Sequence, residues 1–309
     1  MDGKQALSKS HNSGTDIIPA FLAPDYIVNN EVNNQITNEQ AQVNAYPPLV
    51  LHDSEISEMV IRERLHHAIE MQHIDLFMQP LVTLPQRHLA FYEFFGRLRI
   101  KPGLYIPAKD YIELANEEHI ISGLDTLLLT HCLKILKKQQ NRVSRLVSYF
   151  INIKPFTLRN KEFMDNLVFL LSRHKKVAHT LIFEMHHNDF LLLSPAEKKI
   201  LNELAKVGCR FSIDHAREIP SDLEQLRELN VRFVKINAQT LINNGKTEQG
   251  YREILSQKQN LESYNINLIV EKIENDNDLL ELLDYDIKYG QGFLFGRPDF
   301  SGVYTTHPQ

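Results

Sequence analysis

Residues 75–98 read DLFMQPLVTLPQRHLAFYEFFGRL, and this stretch decides the fold. Two apolar runs, Asp75–Leu84 and Leu89–Leu98, are separated by four residues that include Pro85-Gln86-Arg87. A parallel crossover needs roughly a dozen residues or more, so a link this short makes an antiparallel hairpin. Downstream the pattern changes. Apolar runs at Leu146–Ile153, Thr180–Met185, Arg210–Asp214, Phe233–Asn237, Asn267–Glu271 and Gly290–Phe295 alternate with helical patterns such as Gly123–Lys138, Pro195–Val207, Asp222–Leu229 and Gln249–Ser263. Strands that alternate with helices in this way read as an α/β chain, a TIM-like (β/α)8 barrel with an antiparallel first strand. An open doubly wound sheet is the alternative, which the number of strands disfavours.

Working outward, residues 1–53 are rich in Asn, Gln, Ser and Asp and show no sustained period, so a disordered tail or linker is expected there. Its apolar island, Ile17, Ile18, Phe21, Leu22 and Tyr26, is the one candidate docking segment in it. From residue 54 to residue 309 a single barrel domain is expected, with Ser54-Glu55-Ile56-Ser57 opening its first helix. A net charge of −5 gives no basic face for DNA or RNA. Cys132 and Cys209 lie far apart and form no metal-ligand pair. No apolar run approaches the roughly 20 residues that span a bilayer, so a cytoplasmic protein is expected.

In barrels of this kind the site is built where strands end. Polar residues stand there in order: Gln79, Glu93, Asn152, Glu184, Asp214, Lys235, Glu271 and Gln291. One polar strand end is ordinary. The ordered set converges on one mouth, with oxygen donors that suit hard cations such as Mg2+ and with Lys235 and Arg97 to meet phosphate.

The same ordered set resembles the EAL family of cyclic di-GMP phosphodiesterases over residues 57 to about 300. Gln79-Pro80-Leu81 is similar to an opening Q-P-I, and Glu93 and Arg97 match the outer letters of E-A-L-L-R. Asn152 matches the asparagine of V-N-L-S, Glu184 the first acid of L-E-I-T-E, and Asp214 the first of D-D. Lys235 matches K-I-D, Glu271 opens E-G-V-E-T, and Gln291-Gly292-Phe293 precedes Phe295 to Pro298 as in F-x-x-P. The resemblance implies a metal set of Glu93, Asn152, Glu184 and Asp214, and Glu271 with Lys235 as the catalytic pair that activates water. It implies a nucleotide site of Gln79, Glu93, Phe95, Arg97, Lys235, Gln291 and Pro298. Mg2+ or Mn2+ is implied only for an active enzyme; binding itself requires no cofactor.

Departures from the pattern are as informative. The second aspartate of D-D is His215, the aspartate of K-I-D is Asn237, and the second acid of L-E-I-T-E is His187. The loop Ala216–Asp222 carries none of the family's glycines, and Lys272 stands where the pattern has glycine. Two ions roughly 3.5–4 Å apart need carboxylates to offset their repulsion, and two are lost here. A degenerate member is therefore expected, acting as a cyclic di-GMP receptor in signalling of the kind that governs motility or biofilm formation. Two alternatives stay open: an active phosphodiesterase giving linear pGpG, and a nucleotide-independent interaction module with a protein partner or a second copy of the chain. His186, His187 and His215 raise a further alternative, a transition-metal site.

Overall fold

A computed structural model describes residues 49–50, 56–101, 103–117, 120–139, 147–220 and 222–300. The expected tail, 1–53, lies outside the described residues apart from the two-residue strand β1 (Leu49–Val50). Helix α1 (Glu58–Glu70) starts after Ser57 rather than Ser54. The hairpin follows as β2 (Asp75–Thr83) and β3 (Leu89–Lys101), then β4 (Leu104–Pro107), α2 (Ala108–Glu117) and α3 (Ile121–Gln139). Next come β5 (Ser148–Asn152), α4 (Pro155–Arg159), α5 (Lys161–Arg173), α6 (Lys175–Ala178), β6 (Leu181–His186), α7 (His187–Leu191) and α8 (Pro195–Lys206). The chain continues through β7 (Arg210–Ala216), α9 (Leu223–Glu228), β8 (Val231–Asn237), α10 (Ala238–Asn244), α11 (Glu248–Ser263) and β9 (Asn267–Glu271). It closes with α12 (Asp276–Leu283), β10 (Tyr289–Gln291) and β11 (Asp299–Phe300).

Strands β3, β5, β6, β7, β8, β9 and β10 pair in parallel, each with the next. Strand β2 pairs antiparallel with both β3 and β10 and closes the barrel. The five-residue hairpin link, Leu84–His88, therefore sets the one reversed strand of the barrel. Two expectations are corrected. Strand β3 runs on past Leu98 and turns back through Gly103 (φ 82°) into β4, which sequence reading left out. Strand β10 ends at Gln291, not Phe295, because the Ile273 amide donates to the Gln291 carbonyl and the Leu294 amide returns to the Ile273 carbonyl. Gly292 makes this possible: a Cβ there would lie 2.0 Å from the Ile273 carbonyl oxygen.

Strand residues alternate between two faces. The outward set, including Phe94, Ile151, Phe183, Ile213, Val234 and Val270, joins one large core with the surrounding helices. Helix α8 shows how the helices are fixed: Ser194 caps it, Glu197 answers Ser194 in a capping box, and Leu201 and Leu204 are buried. Inside the barrel, Leu81, Phe150, Ile182, Phe233 and Ile269 form a second cluster with Phe91 and Tyr289. Phe91, Phe150 and Phe233 meet edge to face at 5.3–5.5 Å between ring centroids and plug the lower barrel. This plug positions the site. Two residues beyond each apolar interior residue, the same face carries a polar one: Phe91 then Glu93, Phe150 then Asn152, Ile182 then Glu184, Phe233 then Lys235, Ile269 then Glu271.

Candidate functional site

The upper layer of the interior is a dense polar network. Lys235 Nζ, 1% exposed, donates to Glu93 Oε2 at 2.6 Å and to Glu184 Oε2 at 2.7 Å. Burial alone would lower the Lys235 ammonium, but the carboxylates of Glu184, Glu93, Asp214 and Glu271 outweigh it and hold the group well above its usual range. Burial pushes Glu184 up, against the pull of Lys235 and with the help of Glu93 and Asp214. Ser212 donates to Glu184 Oε1 at 3.0 Å. Sequence reading missed Ser212; its place two residues before Asp214, on the same strand face, was the available signal.

Strand β2 brings Gln79 opposite Glu93. The Gln291 amide donates to Glu93 Oε2 at 2.8 Å and to Gln79 Oε1 at 3.1 Å, while Gln79 donates to the Gly296 carbonyl at 3.0 Å. The Gln291 oxygen is buried and has no partner. Asn152 reaches Glu93 Oε1 at 3.4 Å. Pro298 precedes Asp299, which pairs with Met78 beside Gln79. The structure thus brings Gln79, Glu93, Asn152, Glu184, Lys235 and Gln291 together.

Arg97 lies further along the same face of β3. It is 7% exposed, and its guanidinium sits 5.5 Å from the Phe77 ring and 5.4 Å from the Phe95 ring. Its Nη1 donates to the Gly96 carbonyl, and its buried Nε has no partner. Burial lowers the guanidinium from its usual range, opposed by Tyr111, Asp110 and Glu93. Gly96, where the resemblance has leucine, is required locally: a Cβ would lie 2.8 Å from Ile74 and 3.0 Å from the Tyr111 hydroxyl. Phe95 covers Arg97 at the barrel mouth and is only partly buried.

Across the mouth the pairing of β7 with β8 slips between Ile213 and Ala216. At this bulge His215 takes a left-handed backbone (φ 52°). A bulge re-aims side chains that a regular strand would send to opposite faces. Asp214 and His215 consequently both serve the mouth. The His215 ring lies between two acids, Nδ1 3.0 Å from Glu271 Oε1 and Nε2 3.4 Å from Asp214 Oδ2. The contact with Glu271 raises the His215 imidazole, against burial and with the help of Asp214. Glu271 is held low by His215 and Lys235 despite burial. Asn237 turns its oxygen to the amide of Gln239 at 2.8 Å and caps α10. His187, expected beside these residues, begins α7 and is not among the converging donors, which are Asp214, His215 and Glu271.

A pair of divalent ions does not fit this donor set. The His215 ring occupies the gap between Asp214 and Glu271, the Asn237 oxygen is spent on a helix terminus, and Lys235 already serves Glu93 and Glu184.

The family profile described as the EAL domain matches residues 62–298. Among curated proteins, the chain is similar to "Cyclic di-GMP phosphodiesterase PdeF" of Escherichia coli K12, 23% identical over 85% of this chain and 35% of that protein. It is also similar to "Cyclic di-GMP phosphodiesterase PdeA" of Borreliella burgdorferi, 24% identical over 75% of this chain and 34% of that protein. The chain thus spans about a third of the length of these relatives. The FimX EAL domain of Pseudomonas aeruginosa bound to c-di-GMP superposes with a TM-score of 0.66 at 19% identity, covering 80% of this chain and 99% of that one. An EAL domain protein of Listeria monocytogenes superposes with a TM-score of 0.65 at 19% identity, covering 79% and 94%. At these identities the structures establish a shared fold. No helix among the described residues is long and apolar enough to cross a membrane.

Proposed function

The chain belongs to the EAL domain family, and from that premise we propose that it is a cyclic di-GMP receptor whose metal-dependent hydrolysis is impaired. The observation that carries the reading is His215, whose ring bridges Asp214 and Glu271 where a two-ion centre needs carboxylates and space. Hydrolysis through two ions demands several anionic ligands around them. Binding demands less. Arg97 keeps an unpartnered buried Nε beside the half-buried Phe95 ring, which supports a phosphate contact next to a base-stacking face. Gln291 keeps a free amide oxygen that suits a purine edge. Glu271 and Lys235 are read as vestiges of a catalytic pair, and Glu93, Asn152, Glu184 and Asp214 as vestiges of a metal set. The buried free thiols Cys132 and Cys209 support a cytoplasmic setting, and a receptor of this kind passes its signal to a protein partner or a second copy of itself.

The test is titration calorimetry with cyclic di-GMP, with chelator and with Mn2+, alongside a chromatographic assay for pGpG. Binding is expected to persist in chelator, and no pGpG is expected above a protein-free control. Arg97→Ala should weaken binding by about 1.5–3 kcal/mol, the range for hydrogen bonds to charged groups. Multiple turnovers that vanish in Glu93→Gln would instead establish the phosphodiesterase. Absence of binding at high micromolar nucleotide would leave the interaction module.

A further inference from the structure

We propose that the basic face at the bottom of the barrel, around Lys137, Arg173, Lys175 and Lys176, is a docking site for an acidic segment of this same chain, residues 16–31. The face lies at the end opposite the mouth, so the inference does not depend on nucleotide recognition. Helix α3 ends before β5 begins, α6 ends before β6 begins, and these two strands pair in parallel. Helices α3 and α6 also pack on each other. The ends of both helices therefore gather where the strands start. Neither 126–161 nor 166–183 contains an Asp or Glu, a concentration of positive charge that the net −5 hides. Arg173, Lys175 and Lys176 are exposed, and among the described residues none of the three has a carboxylate partner. His174 stands among them: burial lowers its imidazole, and Lys137 and Arg173 lower it further. Phe169, one turn before Arg173 on α5, is 46% exposed and lies 5.5 Å from the Arg173 guanidinium. Three unneutralised cations beside an exposed aromatic ring call for a partner that is both anionic and apolar.

The chain supplies that partner. Residues 10–48 contain no Lys or Arg and carry Asp16, Asp25, Glu31 and Glu39. Asp16 and Asp25 bracket Ile17, Ile18, Phe21 and Leu22, and Tyr26 follows Asp25. The acids answer the cations, and the rings of Phe21 and Tyr26 suit Phe169 and the guanidinium beside it. Exposed charge pairs are individually weak. A link within one chain compensates, because it holds the two groups at an effective concentration of about millimolar order. The link is also long enough. Strand β1 lies on the edge of β4, β4 packs on α2, and α2 packs on α3. The 17 residues from 32 to 48 reach at most about 56–61 Å, whereas α3, with 19 residues, is about 28 Å long. Residue 31 can therefore reach the far end of α3. A foreign polyanion is matched less well, since the chain as a whole repels it at −5.

The experiment uses the full chain, without nucleotide. Carbodiimide coupling joins a carboxylate to an amine where the two touch, and mass spectrometry of the digest locates the links. Links are expected from Asp16, Asp25 or Glu31 to Lys137, Lys175 or Lys176. In an equal mixture of unlabelled and isotope-labelled chain they should stay within one label. Brief chymotrypsin treatment reads the same contact at Phe21, Leu22 and Tyr26, scaled to a free peptide of residues 10–35, because cleavage tracks the undocked population. Arg173→Glu, Lys175→Glu and Lys176→Glu combined alter exposed side chains alone, so circular dichroism should match the parent. Cleavage should rise by about tenfold, and the links to Lys137 should vanish. High salt should raise cleavage of the unsubstituted chain in the same direction, since exposed pairs are screened. Adding Asp16→Lys, Asp25→Lys and Glu31→Lys to the triple variant reverses both partners and should restore protection. Links that join two labels would assign the face to a second copy of the chain. Equal cleavage in parent and triple variant would leave the face to a foreign anion, and protection that fails to return on reversal would remove charge as the cause. Each of these three results overturns the proposal, whatever cyclic di-GMP does at the mouth.

Discussion

On the β3–β6 side of the barrel mouth, Glu93 and Glu184 share the ammonium of Lys235, and all three are almost sealed from solvent. On the β7–β9 side, Asp214 and Glu271 share the imidazole of His215, whose side chain is 44% exposed. Both sides set two carboxylates around one basic side chain. They differ in burial, and burial decides what each arrangement does. A charge pair taken fully out of water costs heavily to break. A half-exposed one is screened and can be exchanged. The first side is a structural keystone that also lines a site. The second is open to exchange, and there His215 stands where the EAL pattern has an aspartate.

The largest expected effect tests the keystone. Lys235→Met leaves Glu93 and Glu184 buried without a cation and should destabilise the fold by about 3–5 kcal/mol, read as a lowered urea midpoint at unchanged slope. A loss below about 1 kcal/mol would mean that one buried carboxyl simply stays protonated, and the contrast between the two sides would collapse.

A second test lies behind the first side. Asp125 of α3 accepts from Thr157 Oγ1 at 2.8 Å and from the Lys154 amide at 3.3 Å, holding the turn that follows Asn152. Burial pushes its carboxyl up to about 6, opposed by Thr157 and Lys154. An acid raised in the folded state stabilises below its unfolded value, near 4, and loses that contribution as pH rises through 6. Between pH 4 and 7 the protein should lose about 1–2 kcal/mol, a figure reduced from the full shift because the residue keeps some solvent contact. Asp125→Asn keeps both acceptor contacts and should remove this slope, ending more stable at pH 7. Parallel pH profiles for the two proteins would show that the Asp125 carboxylate costs nothing to bury there.

The barrel was legible because its signals are local and repeated: a link too short for a crossover, then strand and helix in alternation. The polar layer was legible because Glu93, Asn152, Glu184, Lys235 and Glu271 each follow an apolar interior residue by one strand period. What the sequence hid depends on backbone detail. The bulge that turns both Asp214 and His215 to the mouth has no signature in residue type. Neither has the choice of Asn237 to cap α10, since an asparagine after a strand serves a ligand or a cap equally well. His187 looked like a partner of His215 because the two follow neighbouring strands, yet His187 begins α7 and is not among the donors that converge there. Glu271, four strands from β5 in the barrel, took that place instead.

The altered side can be pushed back. His215→Asp with Asn237→Asp restores two carboxylates, and both replacements tolerate their backbones, the left-handed one at 215 and the cap at 237. Mn2+ affinity should rise at least tenfold, about 1.4 kcal/mol, by calorimetry. Turnover should stay low, because the loop from Ala216 keeps its bulky residues and catalysis depends on placement that binding tolerates missing. Unchanged Mn2+ affinity would show that the mouth does not hold the alignment assigned to it.

The smallest effect concerns the backbone of that altered side. Lys272 follows Glu271 in the left-handed region, at φ 58°, where the EAL pattern has glycine. A side chain there costs about 1–2 kcal/mol, partly offset by the roughly 0.5–1 kcal/mol of chain entropy that glycine loses on folding. Lys272→Gly should therefore stabilise the protein by about 0.5–1 kcal/mol, measured as a shift in denaturant midpoint. Lys272 also bears on His215 and Glu271 through its charge, so Lys272→Ala is the necessary partner: it removes the charge and keeps the strain. If glycine stabilises and alanine does not, the strand end retains a backbone shaped for glycine while its side chain has drifted. If both stabilise equally, the charge is the cause, and the two sides of the mouth differ in electrostatics alone.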